Sequence, residues 1–448
     1  MIRRFTNFLK ADAGARKYFL NTSWLLGARG VQMIVALFVG AMMARYLGPA
    51  DYGIYNYVIS YIGIFLAISS LGIGTIMVKD ILGKTQSENI IMGSGLWLRI
   101  AGSIVACFIV ILLAWITGEE ENVRLFLFIA SIQPIARSFE VVSYYFQAKV
   151  VSKYTVIAQL ISLLIISVLK LVFIALNYPL VWFFYLMILD SSIVAIIMII
   201  EYRFLKQTIF HWRFNLKYSK DLLRESWPLI FSGMLVTIYL KIDQVIINYM
   251  MDDAATGLYA AAVKLSEAWV SIPWIIGGSL YPALVNSYKE NRDAFNTRVS
   301  QTYILLIAVA AAIILPIVLF AHPVTHFVFG SAYQDSAVVL QLHIGSLLFI
   351  FLGSVANRWL IIEGIQKYWM INSAIGAVSN IILNILLIPS MGINGSALAT
   401  LLSYAFAYHF AYALVKRTRV VFHEQNKSML RVLMIFPAIK IIRQVKSR

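Results

Sequence analysis

Residues 90–116 read IIMGSGLWLRIAGSIVACFIVILLAWI, and residues 117–124 that follow read TGEEENVR. Arg99 is the only charge in the first stretch. As a helix rising about 1.5 Å per residue it is about 40 Å long, enough to cross ~30 Å of hydrocarbon. Membrane-spanning strands need only about ten residues with strict alternation, and this stretch shows none. A helix satisfies its own backbone hydrogen bonds where water is absent. The acidic break after it reads as a loop in water.

Working outward, eleven more stretches read the same way. The twelve predicted spans are 20–45, 53–78, 90–116, 123–147, 154–176, 180–202, 226–250, 257–285, 299–320, 336–362, 368–389 and 393–415. The chain has 448 residues, 60% hydrophobic and 13% charged, whereas a soluble domain carries about 25% charge. The fold class expected is an all-α membrane protein with about twelve transmembrane helices. The stretch Met429 to Ile442 contains Arg431, Pro437 and Lys440. It is too short and too charged to span, and reads as an amphipathic segment on the inner surface.

A formal charge of +16 invites a nucleic-acid partner, but its distribution argues against one. With the N-terminus inside, 28 Lys and Arg fall on the tails and connections of that side and two, Arg45 and Arg124, on the other. That asymmetry follows the positive-inside rule. It predicts both termini in the cytoplasm and an even number of spans in a bacterial inner membrane. Cys107 is the single cysteine, so no intramolecular disulfide forms. The N-terminus is basic without a short apolar core and cleavage site, and reads as a retained cytoplasmic segment.

An internal repeat divides the chain. Gly48-Pro-Ala-Asp-Tyr-Gly53-Ile-Tyr55 follows the first span, and Asp252-Asp-Ala-Ala-Thr-Gly257-Leu-Tyr259 follows the seventh. Gly53 and Gly257 stand at an offset of 204, as do Gly74 and Gly278, and Ser152-Lys153-Tyr154 matches Gln366-Lys367-Tyr368 at 214. Six spans per half give parallel repeats, related by an axis along the membrane normal with a substrate cavity between them. The expected organisation is a tail (1–19), a six-helix lobe (20–202), a basic linker (203–225), a second lobe (226–415) and a basic tail with the amphipathic segment (416–448).

Three stretches resemble the polysaccharide repeat-unit flippases. They are Ala44-Arg-Tyr-Leu-Gly-Pro-Ala-Asp-Tyr-Gly-Ile-Tyr55, then Lys241-Ile-Asp-Gln-Val-Ile-Ile-Asn248 with Gly257-Leu-Tyr-Ala-Ala-Ala-Val-Lys264, and Gly392-Ile-Asn-Gly395 with Ser396-Ala-Leu-Ala-Thr-Leu-Leu402. The resemblance covers nearly the whole chain up to about Arg419. It implies the O-antigen and capsule branch of the multidrug/oligosaccharidyl-lipid/polysaccharide exporter superfamily. It further implies a flippase that moves an undecaprenyl-diphosphate-linked oligosaccharide between leaflets. A polysaccharide polymerase and chain-length machinery are the partners that such a role implies.

Charges inside spans cost at least ~2.5 kcal/mol near the bilayer centre on insertion scales, so each must face protein or water. Arg29 lies on a stripe with Thr22, Ala36, Gly40 and Ala44, and has no partner in its own span. Gln133, Arg137, Glu140, Tyr144 and Gln147 form one stripe, and Gln159, Ser162 and Lys170 another. Ala260, Lys264, Glu267, Ser271 and Gly278 form a third. The candidates for a cationic, substrate-binding cavity are Arg29, Arg137, Lys264, Lys170, Arg99 and Arg358. Arg99 and Arg358 lie toward the cytoplasmic ends, within snorkelling reach of the interface. Arg137 with Glu140, and Lys264 with Glu267, stand three apart and pair at that spacing. For ion coupling the candidates are Asp243, then Glu267, with Glu140 and Asp190. Asp243 leads because Lys241, two residues away, cannot reach it within the helix. Tyr52, Tyr55, Tyr57 and Tyr61 read as an interfacial belt.

No metal-ligand spacing appears among the six histidines, no Gly-rich phosphate loop is present, and no cofactor is expected. Two other functions compete. A drug/cation antiporter of the same superfamily would favour surplus acids in its cavity, against seven basic and four acidic residues away from the ends of these spans. A membrane glycosyltransferase or polymerase would favour large outer loops; the longest here is about fifteen residues, from His322 to Asp335. A transporter, not an enzyme, is the expectation. Cysteines introduced near Glu120 and Asp253 should label from outside and one at position 217 should not. Outside labelling at 217 would reverse the orientation.

Overall fold

The computed structural model describes the backbone of residues 13–446 and the side chains from 30 to 434, apart from those at 232 and 236. The start of the expected N-terminal tail, the side chain of Arg29 and the side chains of the amphipathic stretch beyond 434 lie outside the described residues. The protein is 88% helical and contains no strand among the described residues.

The chain begins with a helical run, Ala13–Ser70, broken at Gly48, whose φ of 70° and ψ of 173° leave the helical region. Glycine tolerates that geometry without the clash a Cβ brings. The arms are α1 (13–47) and α2 (49–70). There follow α3 (Gly74–Gly83), α4 (Glu88–Ile116), α5 (Glu121–Ala148), α6 (Lys153–Ala175), α7 (Val181–Phe204) and α8 (Leu216–Met250). The rest of the chain forms α9 (Asp253–Glu290), α10 (Arg292–Leu319), α11 (Ala321–Phe329), α12 (Ser336–Ile362), α13 (Lys367–Met391), α14 (Ile393–Leu414) and α15 (Arg419–Lys446).

Ten of the described helices are long and apolar enough to cross a membrane, and the bent α8 makes an eleventh. One of the ten, Gly30–Gly83, has 54 residues. At about 1.5 Å per residue it is long enough for two crossings of ~30 Å, and it takes in residues 30–45 of the first predicted span and all of the second. The chain is therefore a multi-pass membrane protein. The apolar surface fits: α6 has a mean hydropathy of 2.5 with only 17% of its apolar window buried, so most of that face meets hydrocarbon. The expected loop from His322 to Asp335 is instead largely helical, as α11 and a short 3-10 turn at Ser331–Tyr333. The last helix, α15, packs against α10, with Val421 and Val432 in a shared core with Phe295, Val299 and Tyr303. Arg431 donates to the Ser300 hydroxyl at 2.8 Å.

Two compact units emerge. One comprises the residues up to Leu47 with Ile54–Thr237, and the other Gly48–Gly53 with the residues from Ile238. In the first, Ser103 of α4 donates to the Pro134 carbonyl at 3.0 Å and meets the hydroxyls of Ser69 and Ser138 at 3.2 and 3.3 Å. Small hydroxyls of this kind join helices where lipid offers no partner. Pro134 also interrupts α5, and a 3-10 turn at Ser138–Glu140 carries the chain past the interruption.

In the second unit the hexapeptide Gly48–Gly53 packs on the start of α9. A Cβ on Gly53 would overlap the Asp253 carbonyl, and a Cβ on Gly257 would overlap the Pro49 carbonyl. Both pairs respect the 204-residue offset, so the contact maps onto itself when the repeats are exchanged. Asp252 caps α9, accepting from the Ala255 amide at 2.7 Å.

The four tyrosines of α2 form no interfacial belt. Tyr52, Tyr55, Tyr57 and Tyr61 are all buried. Tyr57 donates to Glu119 at 2.6 Å and Tyr52 meets Tyr333 edge to face. A tyrosine near a span end reads the same by composition whether it faces lipid or protein.

Gly53→Ala and Gly257→Ala should each lower stability by about 1–3 kcal/mol through overpacking against backbone. Gly30→Ala, with open space at its Cβ, should leave it unchanged. Thermal unfolding in detergent measures all three, and equal midpoints would refute the close crossing.

Candidate functional site

Each unit contains a polar cavity. In the first, α1, α5, α6 and α7 enclose about 310 Å³ bordered by Gln32, Gln133, Arg137, Glu140, Gln159 and Asp190, among others. The 3-10 turn in α5 presents Glu140 between two guanidinium groups. Arg99 Nη2 donates to Glu140 Oε2 at 3.1 Å, and Arg137 Nε donates to Oε1 at 3.0 Å. Arg99 also reaches the Tyr144 hydroxyl at 3.3 Å. Its side chain is 3% exposed. The interfacial snorkelling expected of Arg99 is thus replaced by a buried ion pair, because Glu140 supplies a nearer charge than water does. Asp190 accepts from the Ser162 hydroxyl at 2.5 Å. Gln32 donates to Gln159 at 3.4 Å.

In the second unit, α8, α9, α12 and α14 enclose about 330 Å³, with Asp243, Lys241, Glu267, Tyr239, His343 and Tyr404 on its walls. Asp243 is buried and receives three hydrogen bonds from neutral groups. Thr400 and Tyr259 donate at 2.5 and 2.8 Å to one oxygen, and Asn384 donates at 2.9 Å to the other. No described cation pairs with it. The expected Lys264–Glu267 pair is absent among the described residues; Lys241 instead stands 3.9 Å from Glu267. Neighbouring helices compete for the same carboxylate, which spacing along one helix cannot reveal.

The remaining candidates are dispersed. Lys170 donates to the Tyr55 hydroxyl at 3.3 Å. Arg358 is held by the backbone: it donates to the carbonyls of Ser354 at 2.6 Å and Trp274 at 2.9 Å. Its guanidinium lies against Gly277, where a Cβ would come within 2.7 Å. Snorkelling is replaced here too, since a carbonyl of its own helix and one of α9 give it acceptors within the protein. Sequence reasoning missed His343, buried 2.6 Å from the Ser266 hydroxyl. Its position in the middle of an apolar span was the available signal. It also missed Asn380 and Asn384, both buried on α13.

A family model for polysaccharide biosynthesis proteins matches residues 19–288. The chain belongs to that family. A second model, lipid II flippase MurJ, matches residues 161–443. The two together set it in the multidrug/oligosaccharidyl-lipid/polysaccharide exporter superfamily. A lipid II flippase MurJ of Bacillus subtilis is 26% identical over 45% of the chain, and a probable low-salt glycan biosynthesis flippase of Haloferax volcanii 23% over 43%. Those alignments cover 40% and 41% of the relatives' own length, less than half of each.

Among solved structures, a lipid II flippase MurJ in an inward closed conformation superposes with a TM-score of 0.70 at 15% identity, covering 94% of this chain and 93% of that one. An inward-facing multidrug resistance transporter of the MATE family gives 0.69 at 13%, covering 91% and 96%. At such identities the likeness fixes the fold of the chain and nothing further.

Glu140→Gln should cost about 3 kcal/mol, because it strands the buried Arg99 charge. Adding Arg99→Met should restore part of that loss. Thermal unfolding of the single and double variants measures the coupling, and a Glu140→Gln variant as stable as the parent would refute the triad.

Proposed function

We propose that this chain is a flippase that carries an undecaprenyl-diphosphate-linked oligosaccharide, an O-antigen or capsular repeat unit, from the inner to the outer leaflet. The membrane is the bacterial cytoplasmic membrane, with both termini in the cytoplasm. The observation that carries the reading is the overlap of the two family models, which together run from residue 19 to residue 443 and are named for polysaccharide biosynthesis and for a lipid II flippase. The lobes 20–202 and 226–415, joined by 203–225, work by alternating access. A polysaccharide polymerase and chain-length machinery consume what is delivered.

The cationic candidates divide by what they already hold. Arg99 and Arg358 spend their guanidinium groups on Glu140 and on carbonyls, and act as positioning residues. Arg29, Lys170 and Lys264 are the groups offered to the diphosphate, since ammonium and guanidinium groups favour phosphate oxygens. Repeated transport needs a gradient or a downhill sink. For a gradient, some group must bind its ion differently in the two states. Asp243 fits that part best, being a carboxylate in a cavity held by neutral donors alone. Glu267, Glu140 and Asp190 follow, the first two with cations already beside them.

The same cavity favours a second reading. Asp243 and Glu267 against Lys241, with Tyr239 and Tyr404 on the walls, suit an organic cation, as in a drug/cation antiporter. Proteoliposomes with an imposed proton or sodium gradient separate the two. The flippase reading expects translocation of a lipid-linked saccharide; gradient-driven ethidium movement without it would overturn that reading. Asp243→Asn should bind saccharide lipid as the parent does while losing its gradient-driven rate. A variant with the parental driven rate would remove Asp243 from coupling.

A further inference from the structure

The cavity of the first unit combines chemistry that neither a diphosphate nor a flat organic cation wants. Its described charges balance once the partner of Glu140 is counted: on the walls Arg137 is positive and Glu140 and Asp190 negative, and Arg99, outside the lining, pairs with Glu140. Both guanidinium groups already serve Glu140. None of its wall residues is aromatic, so it offers no ring to stack on. What it offers is hydrogen-bonding capacity. Gln32, Gln133 and Gln159 bring carboxamides from three helices, each with two donors and an acceptor oxygen. Gln133 has no hydrogen-bond partner among the described residues, and the Gln32–Gln159 bond at 3.4 Å is long. Asp190 has one oxygen engaged by Ser162 and a second without a described donor. Arg137 uses only Nε on Glu140, leaving its two terminal nitrogens as donors.

Alternating donors and acceptors from planar side chains match vicinal hydroxyl groups, each of which donates once and accepts twice. A cavity of about 310 Å³ stands at the small end of ligand pockets and suits a single ring rather than a chain. We infer that the cavity of the first unit is a saccharide-hydroxyl subsite, which takes one uncharged sugar ring of the lipid-linked ligand while the diphosphate is held elsewhere. This rests on the reading of the chain as a carrier of lipid-linked saccharide and adds which part of the ligand this cavity recognises.

The test uses the full chain in lipid nanodiscs. Two probes are titrated: undecaprenyl diphosphate, and a panel of undecaprenyl-diphosphate-linked hexoses and N-acetylhexosamines. The parent should bind at least one sugar-bearing lipid more tightly than the bare lipid. Gln133→Leu and Gln159→Leu keep side-chain volume and remove the amide. Each should weaken the sugar-bearing lipid about tenfold, as the loss of one or two hydrogen bonds implies. Bare-lipid affinity should stay within about twofold, which also reports that the variants are folded. Equal weakening on both probes would make this a phosphate site and overturn the inference. Unchanged affinity for both probes would overturn it as well. A parent that binds bare lipid but gains nothing from any sugar overturns the subsite and leaves the flippase reading standing. A parent that binds neither probe overturns both.

Discussion

A charged group inside a span has no water to turn to, and the two polar cavities of this protein answer that constraint. The answers differ between the two units. In the first, a carboxylate at a 3-10 turn of α5 is gripped by two guanidinium groups, Arg137 from α5 and Arg99 from α4. In the second, Asp243 is matched by hydroxyls and an amide that carry no charge. Arg358 shows a third solution, in which main-chain carbonyls stand in for an anion. Insertion cost on the order of 2.5 kcal/mol per charge explains why none of these groups hangs free in hydrocarbon.

The difference bears on division of labour. A caged ion triad is rigid: removing any member strands another, so its geometry is over-determined. An acid held only by neutral donors can exchange them for a cation without leaving a stranded charge. The first arrangement suits a wall that must keep its shape around a ligand. The second suits a group that changes what it binds during a cycle. The aromatic walls around Asp243, and their absence around Gln133, follow the same split.

The spans were legible because hydropathy is a local property; residues 90–116 announce a helix with no knowledge of their neighbours. The break at Gly48 falls between the first two predicted spans, 20–45 and 53–78, where the helical run Ala13–Ser70 changes direction. The stripe from Gln133 to Glu140 was legible because helical spacing fixes a shared face, and the Arg137–Glu140 pair lies on it. Partners across helices were not legible. Glu267 sits three residues from Lys264 yet meets Lys241, and Arg99 found Glu140, forty-one residues away. Such choices depend on how helices pack, which one sequence does not state. The tyrosines of α2 failed for a related reason: their type suits an interface, while the packing that buries them is set by residues as remote as Tyr333.

The balance of charge around Glu140 has an electrical corollary. A transmembrane potential does work on a protein only through net charge that moves along the field, about 2.3 kcal/mol per elementary charge per 100 mV. Counted with Arg99, which pairs with Glu140 from outside the lining, Arg137, Glu140 and Asp190 sum to zero, so carrying the four together through part of the bilayer adds almost no such work. The first unit's cavity is in this sense blind to voltage. The described charges around the other cavity, Lys241, Asp243 and Glu267, sum to minus one, and a bound monovalent cation brings that to zero. Any voltage dependence of the cycle that originates at these two cavities therefore belongs to the second, and it is carried by the empty form, since the loaded form is neutral.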